Sequence, residues 1–110
     1  MAKVRVMLFE GPMCCPSGLC GPSPDPSLME IQNTTAQLRR EFKDAVEIVR
    51  ANIVGDFSQF LESWDVYEKV RKGGVAVLPI VKVNGNIVAE GGYPNLETLR
   101  KEVLKIIGNG

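Results

Sequence analysis

The chain of 110 residues contains no histidine, and its three cysteines all fall between Cys14 and Cys20. Without histidine there is no Ser-His or Cys-His nucleophile pair, no His-ligated zinc and no imidazole general base. Three cysteines are by themselves too few for a four-cysteine zinc site or an iron–sulfur cluster. Charge of either sign is also not in excess: 13 basic residues face 13 acidic ones, and the basic surplus usual in nucleic-acid binders is missing. No apolar run approaches the length of a membrane span, so no membrane insertion is expected. Met1-Ala2-Lys3-Val4-Arg5 leads straight into strand-like sequence with no signal-peptide pattern. The expected compartment is the cytoplasm, where thiols stay reduced. An odd number of cysteines agrees with that and argues against a disulfide framework.

What is present fits one ordinary globular domain over residues 1–110, with 45% hydrophobic and 24% charged residues. Lys3 to Phe9 reads as a strand, and its Met7-Leu8-Phe9 end is continuously apolar, as in a strand covered on both faces. Composition then changes sharply. The segment Glu10 to Pro26 holds five of the seven prolines and three of the eleven glycines, so neither a helix nor a ladder can run through it. A long loop carrying apolar and sulfur-bearing residues inside a small domain points to function.

A helix follows, with Asp25 suited to its N-cap, Pro26 to its first turn, and Ser27 with Glu30 as a competing capping pair. Leu28, Ile31, Leu38 and Phe42 share one face. Val46 to Ile53 is rich in β-branched residues and reads as a strand. Gly55-Asp56 opens a second helical stretch to about Lys72, with a restart capped by Ser63 and a stop at Gly73-Gly74. Its Phe57, Phe60, Leu61, Trp64, Tyr67 and Val70 are expected to pack in the core. Val77 to Val83 and Asn86 to Glu90 form a hairpin around Asn84-Gly85, a pair suited to a type I′ turn. After the loop Gly91 to Pro94, a last helix runs from about Asn95 to Ile107, with Gly108 as its stop.

The order is β-α-β-α-β-β-α. A βαβ unit is parallel with a right-handed crossover, and a two-residue hairpin is antiparallel. One mixed four-stranded sheet with helices on both faces satisfies both, and that is the thioredoxin-like α/β fold. Leu78-Pro79, at the start of the third strand, stands where such folds place a cis proline facing the loop after the first strand. By that likeness Pro79 is expected to be cis.

The cysteines admit several chemistries. Adjacent Cα atoms lie about 3.8 Å apart, below the roughly 4.4 Å usual for a disulfide, so a Cys14–Cys15 bridge would be strained. Four residues separate Cys15 from Cys20, so there is no C-x-x-C redox pair, although a bridge from Cys20 to Cys14 or Cys15 stays open. Gly18 permits a reversal that brings Cys20 back to the vicinal pair as a three-sulfur cup. Soft ions select thiolates. Trivalent arsenic or antimony takes three sulfurs in a pyramid beside its lone pair; zinc would be left with an open position, and Cu(I) also accepts two or three thiolates. Incidental reduced cysteines are the plain alternative, but a Pro/Gly loop is poor placement for core filling. The downstream helix N-terminus would favour thiolates through its dipole, whereas Glu10 would act against them.

The run Phe9-Glu10-Gly11-Pro12-Met13-Cys14-Cys15-Pro16-Ser17-Gly18-Leu19-Cys20-Gly21 resembles the signature of the ArsD family of arsenic metallochaperones, also described as arsenical resistance operon trans-acting repressors. Leu78-Pro79, Asn84-Gly85 and Gly91-Gly92-Tyr93-Pro94 extend the likeness over nearly the whole chain. The resemblance implies a thioredoxin-like fold and metalloid ligation by Cys14, Cys15 and Cys20. It implies transient As(III) or Sb(III) as cargo, with no permanent cofactor, and transfer to the ArsA ATPase of an efflux pump. It also implies weak repression at operator DNA, associated with a homodimer. Family members often have arginine where Gly92 stands, and many carry further vicinal cysteine pairs in a C-terminal tail; this chain has no cysteine after Cys20.

Three functions compete on these grounds. A metalloid transfer protein, not an enzyme, fits the loop best. A thioredoxin-like thiol-disulfide oxidoreductase is the alternative that the fold supports and the missing C-x-x-C opposes. A repressor rests on the resemblance alone: there is no helix-turn-helix pattern. The basic groups Arg39-Arg40 with Lys43, Arg71-Lys72, and Arg100-Lys101 with Lys105 lie toward helix C-termini, where cations complement the dipole.

Overall fold

A computed structural model describes residues 4–12 and 26–108. In chain order the elements are β1 (Val4–Glu10), α1 (Pro26–Phe42), β2 (Val46–Asn52), α2 (Phe57–Glu62), α3 (Trp64–Gly73), β3 (Ile80–Val83), β4 (Asn86–Glu90) and α4 (Leu96–Gly108). Short 3-10 turns occupy Lys43–Ala45 and Gly74–Val77. Lys3 and Asp25, the proposed strand start and N-cap, lie outside the described residues.

The sheet has the order β2-β1-β3-β4. β1 is parallel to β2, with Val4 opposite Val46 and Glu10 opposite Asn52, and antiparallel to β3, with Phe9 opposite Ile80. β3 and β4 are antiparallel, with a register irregularity at Val81/Lys82. The connecting turn is the one expected from Asn84-Gly85: both residues have positive φ, 48° and 88°, as a type I′ turn requires. The Asn84 side-chain oxygen accepts the Arg5 N–H at 2.7 Å, and the Asn84 N–H donates to the Arg5 carbonyl at 2.9 Å, anchoring the turn to the start of β1.

Alternation along β1 sorts the interior into two cores. Val4, Val6 and Leu8 face α1 and α4, where Ile31, Leu38, Leu99 and Val103 close over them. Phe9, with Met7 packed alongside, faces α2 and α3, where Phe60, Val66 and Leu78 complete a second cluster. Successive strand residues point to opposite faces, so a strand with helices on both sides must be apolar at every position, as Met7-Leu8-Phe9 is. An exposed-side tie holds the first helix layer together: Arg100 of α4 reaches Glu41 at the end of α1 at 2.7 Å.

Three expectations need correction. The third strand does not start at Val77. Gly74–Val77 is a 3-10 turn closed by the Leu78 N–H on the Val75 carbonyl, and pairing begins at Ile80, because Pro79 has no N–H for the ladder. The Leu78-Pro79 bond is cis, as expected. The helix after β2 is broken at Ser63 as foreseen, but the Ser63 side chain makes no capping bond. Finally, the aromatics there are not all core. Phe60 is fully buried edge-on to Phe9 at 5.1 Å, while Phe57, Leu61 and Trp64 are surface residues, with Trp64 63% exposed against Tyr67. Two short helices bury only the side chains that they direct at the sheet.

This difference is measurable. Phe60→Ala should cost about 3–5 kcal/mol in chemical denaturation, and Trp64→Ala should stay within about 0.5 kcal/mol of wild type.

Candidate functional site

The carboxyl end of β1 is where the cysteine segment departs. Cys14, Cys15 and Cys20 lie outside the described residues; the structure describes the frame around them. On the entry side stand Glu10, Gly11 and Pro12, and on the exit side the first turn of α1 at Pro26. Continuing the β1–β3 register by one residue sets Pro79 opposite Glu10. The Gly91 N–H is shared between the Val77 and Pro79 carbonyls at 2.9 Å each, so the loop carrying Tyr93 and Pro94 is tied to the cis-proline turn. A cleft of about 80 Å³ remains between Ser27, Glu30 and Ile31 of α1 and Tyr93-Pro94. Organic-substrate pockets typically need about 300–1,000 Å³, so this cleft is smaller than such a pocket. Two larger, open grooves, of about 430 and 450 Å³, lie beside the Asn84-Gly85 turn at the other end of β1.

Glu10 is the unusual residue of the frame. It is 2% exposed at the end of an apolar strand. Period-two parity places it on the α1/α4 side, as it does Arg50 of β2, which is registered with Leu8. Arg50 answers it with a two-pronged bond: Nε to one carboxylate oxygen and Nη2 to the other, both at 2.7 Å. The Tyr93 hydroxyl donates to the second oxygen. The Glu10 hydrogen bond raises the Arg50 pKa above its ordinary value despite burial. Burial first, and the Glu10 carboxylate second, push the Tyr93 phenol well above 10.0.

The negative charge of Glu10 is thus compensated at contact distance by a guanidinium. Arg50 and Tyr93 were not singled out from sequence, although a signal existed. A carboxylate ending a buried strand requires a cation, and Arg50 is the one cation in the Val46 to Ile53 run.

The basic groups behave as solvated helix ends. Arg71 and Lys72 share Glu68, Arg100 is held by Glu41 and Glu97, Arg40 bonds Gln37, and Lys105 lies beside Glu102. Much of the local positive charge is thereby matched on the same surface.

Fold and frame together define a thioredoxin-like α/β protein whose first strand is followed in sequence by three cysteines without a C-x-x-C pair. The model of the family described as arsenical resistance operon protein ArsD matches residues 1–107, and the chain belongs to the ArsD family. Among curated relatives, a Halobacterium salinarum protein provisionally named an arsenical resistance operon repressor ArsD is 39% identical over 95 residues, covering 86% of each chain. An Escherichia coli arsenical resistance operon trans-acting repressor ArsD is 27% identical over 96 residues, 87% of this chain and 78% of the relative. The crystal structure of an arsenical resistance operon trans-acting repressor from Bacteroides vulgatus superposes with a TM-score of 0.77 at 28% identity, covering 92% of each chain.

Two outcomes follow from the buried trio. Removing one charge, by Glu10→Gln or Arg50→Met, strands the other and should cost about 3–5 kcal/mol of stability. For Tyr93, the folded phenol keeps its proton where an unfolded one, near 10.0, has lost it. The stability this provides is present below pH 10 and is lost as pH rises above it. Tyr93→Phe should therefore flatten the alkaline decline of the unfolding free energy above pH 10.

Proposed function

We propose that this protein is an arsenic metallochaperone of the cytoplasm, not an enzyme. Cys14, Cys15 and Cys20 bind trivalent arsenic or antimony and pass it to an ArsA-type ATPase of an arsenite efflux pump. Membership of the ArsD family carries the reading, supported by a sequence with three clustered thiols, no histidine and no C-x-x-C. None of the helices among the described residues is long and apolar enough to cross a membrane, which accords with a carrier that hands cargo to a separate pump.

The chemistry is ligand exchange. Arsenous acid and three thiols give one tris-thiolate arsenic centre and three waters. Transfer then replaces one protein sulfur at a time by an acceptor sulfur, each departing thiolate taking up a proton. No oxidation state changes, so neither a redox cofactor nor a general base of raised reactivity is needed. A Gly/Pro-rich ligand loop suits stepwise release, since each sulfur must leave in turn.

The relatives' names favour a second, compatible role, repression of the arsenical resistance operon; weak operator binding by a homodimer is what the family resemblance implies for it. The matched cations described above accord with weak binding. Operator binding at low salt that arsenite releases would support it, and no binding at low salt would remove it.

The test is arsenite titration of the reduced protein and of Cys14→Ser, Cys15→Ser and Cys20→Ser. Wild type should bind one arsenite per chain and protect three thiols from alkylation, and each substitution should weaken binding to a similar extent. Unchanged thiol reactivity in excess arsenite overturns the reading. Rapid insulin reduction requiring Cys14 or Cys15 would replace it by the oxidoreductase.

A further inference from the structure

The Glu10–Arg50–Tyr93 trio sits at the one strand end that leads into the cysteines, with Cys14 four positions beyond Glu10. Both the main-chain carbonyl and the carboxylate of Glu10 are held. Its main-chain carbonyl accepts the Ile53 N–H at 2.9 Å. Its carboxylate takes both prongs of Arg50 at 2.7 Å and the Tyr93 hydroxyl. The holders come from two different parts of the chain, the β2 strand with its exit and the Gly91–Pro94 loop. That loop is fastened in turn through Gly91 to the cis-proline turn, and Asn95 caps α4 by accepting the Thr98 N–H at 2.9 Å. A two-pronged arginine–carboxylate bond sets direction as well as distance. Pro12, with its fixed φ, then limits the freedom gained between the clamp and Met13.

Stability alone does not account for such a group. Burying a carboxylate against an arginine costs desolvation that apolar side chains of similar volume avoid. Fixing where the chain leaves β1 does account for it. Three sulfurs must reach one atom together, and holding the root of their loop lowers the ordering cost of that chelation. We infer that Glu10, Arg50 and Tyr93 are positioning residues for the metalloid-binding thiols, an inference that rests on the three-thiolate reading above. None of the three touches the metalloid. They act through the direction in which the chain enters the ligand loop.

Tyr93→Phe is the clean variant, because it removes one hydroxyl and leaves the Glu10–Arg50 pair. Three readouts on the reduced full chain separate positioning from general loosening: the Kd for arsenite, which uses three thiols; the Kd for phenylarsine oxide, which uses two; and the iodoacetamide rate, which uses one at a time. The arsenite Kd should rise on the order of tenfold, equivalent to about 1.4 kcal/mol. The phenylarsine oxide Kd should rise less, and the alkylation rate should not change. Arg50→Lys, which keeps the charge and loses the fork, should show the same ordering. An unchanged arsenite Kd in Tyr93→Phe overturns the inference, as does an equal loss for both arsenicals in step with a lower Tm. The two failures are distinguishable: wild type that takes up no arsenite overturns the three-thiolate reading itself, whereas tight uptake by wild type and variant alike overturns only the clamp.

Discussion

The double burial of β1 is the constraint on which the rest depends. This strand is paired on both edges, to β2 in parallel and to β3 antiparallel, and is covered on both faces. Each further element answers one of those four demands. The parallel partner needs a crossover, which α1 supplies. α1 and α4 cover Val4, Val6 and Leu8, while α2 and α3 cover Phe9. The hairpin β3–β4 closes the second edge. A central strand surrounded in this way has no exit sideways, so the chain must leave it at its end, and the cysteine segment departs there.

That exit is polar in an otherwise apolar strand. Glu10 is buried yet charged, and the low-dielectric surroundings that make an unpaired carboxylate costly also make a two-pronged arginine partner strong. The trio therefore joins β1, β2 and the loop before α4 into one unit at the end of the sheet where the thiols begin. Glycine at position 92 has open space at its missing Cβ and no left-handed φ, so a side chain there would start into open space.

Much of the fold was legible because its signals are local. Helical spacing of apolar residues, Pro26 at a helix start, Ser63 as a break, Asn84-Gly85 as a turn and Gly108 as a stop all act through neighbours within a few residues. The errors share the opposite character. The start of β3 was placed at Val77, but the turn before Pro79 removes that residue from the ladder. The aromatics of α2 and α3 look alike in sequence, yet packing against the sheet buries Phe60 beside Phe9 and leaves Trp64 outside.

The candidate site divides along the same line. The sequence by itself determined which groups are available to the proposed site, because thiol count, spacing and the absence of histidine are properties of the chain and not of its folding. It also determined the fold class, through periodicity and turn chemistry. Only the tertiary structure decided what surrounds the root of that chemistry. Arg50 is 40 positions from Glu10 and Tyr93 is 83 positions away; no local propensity links them. Strand register and loop closure bring them together, and they pair the buried charge that ends β1.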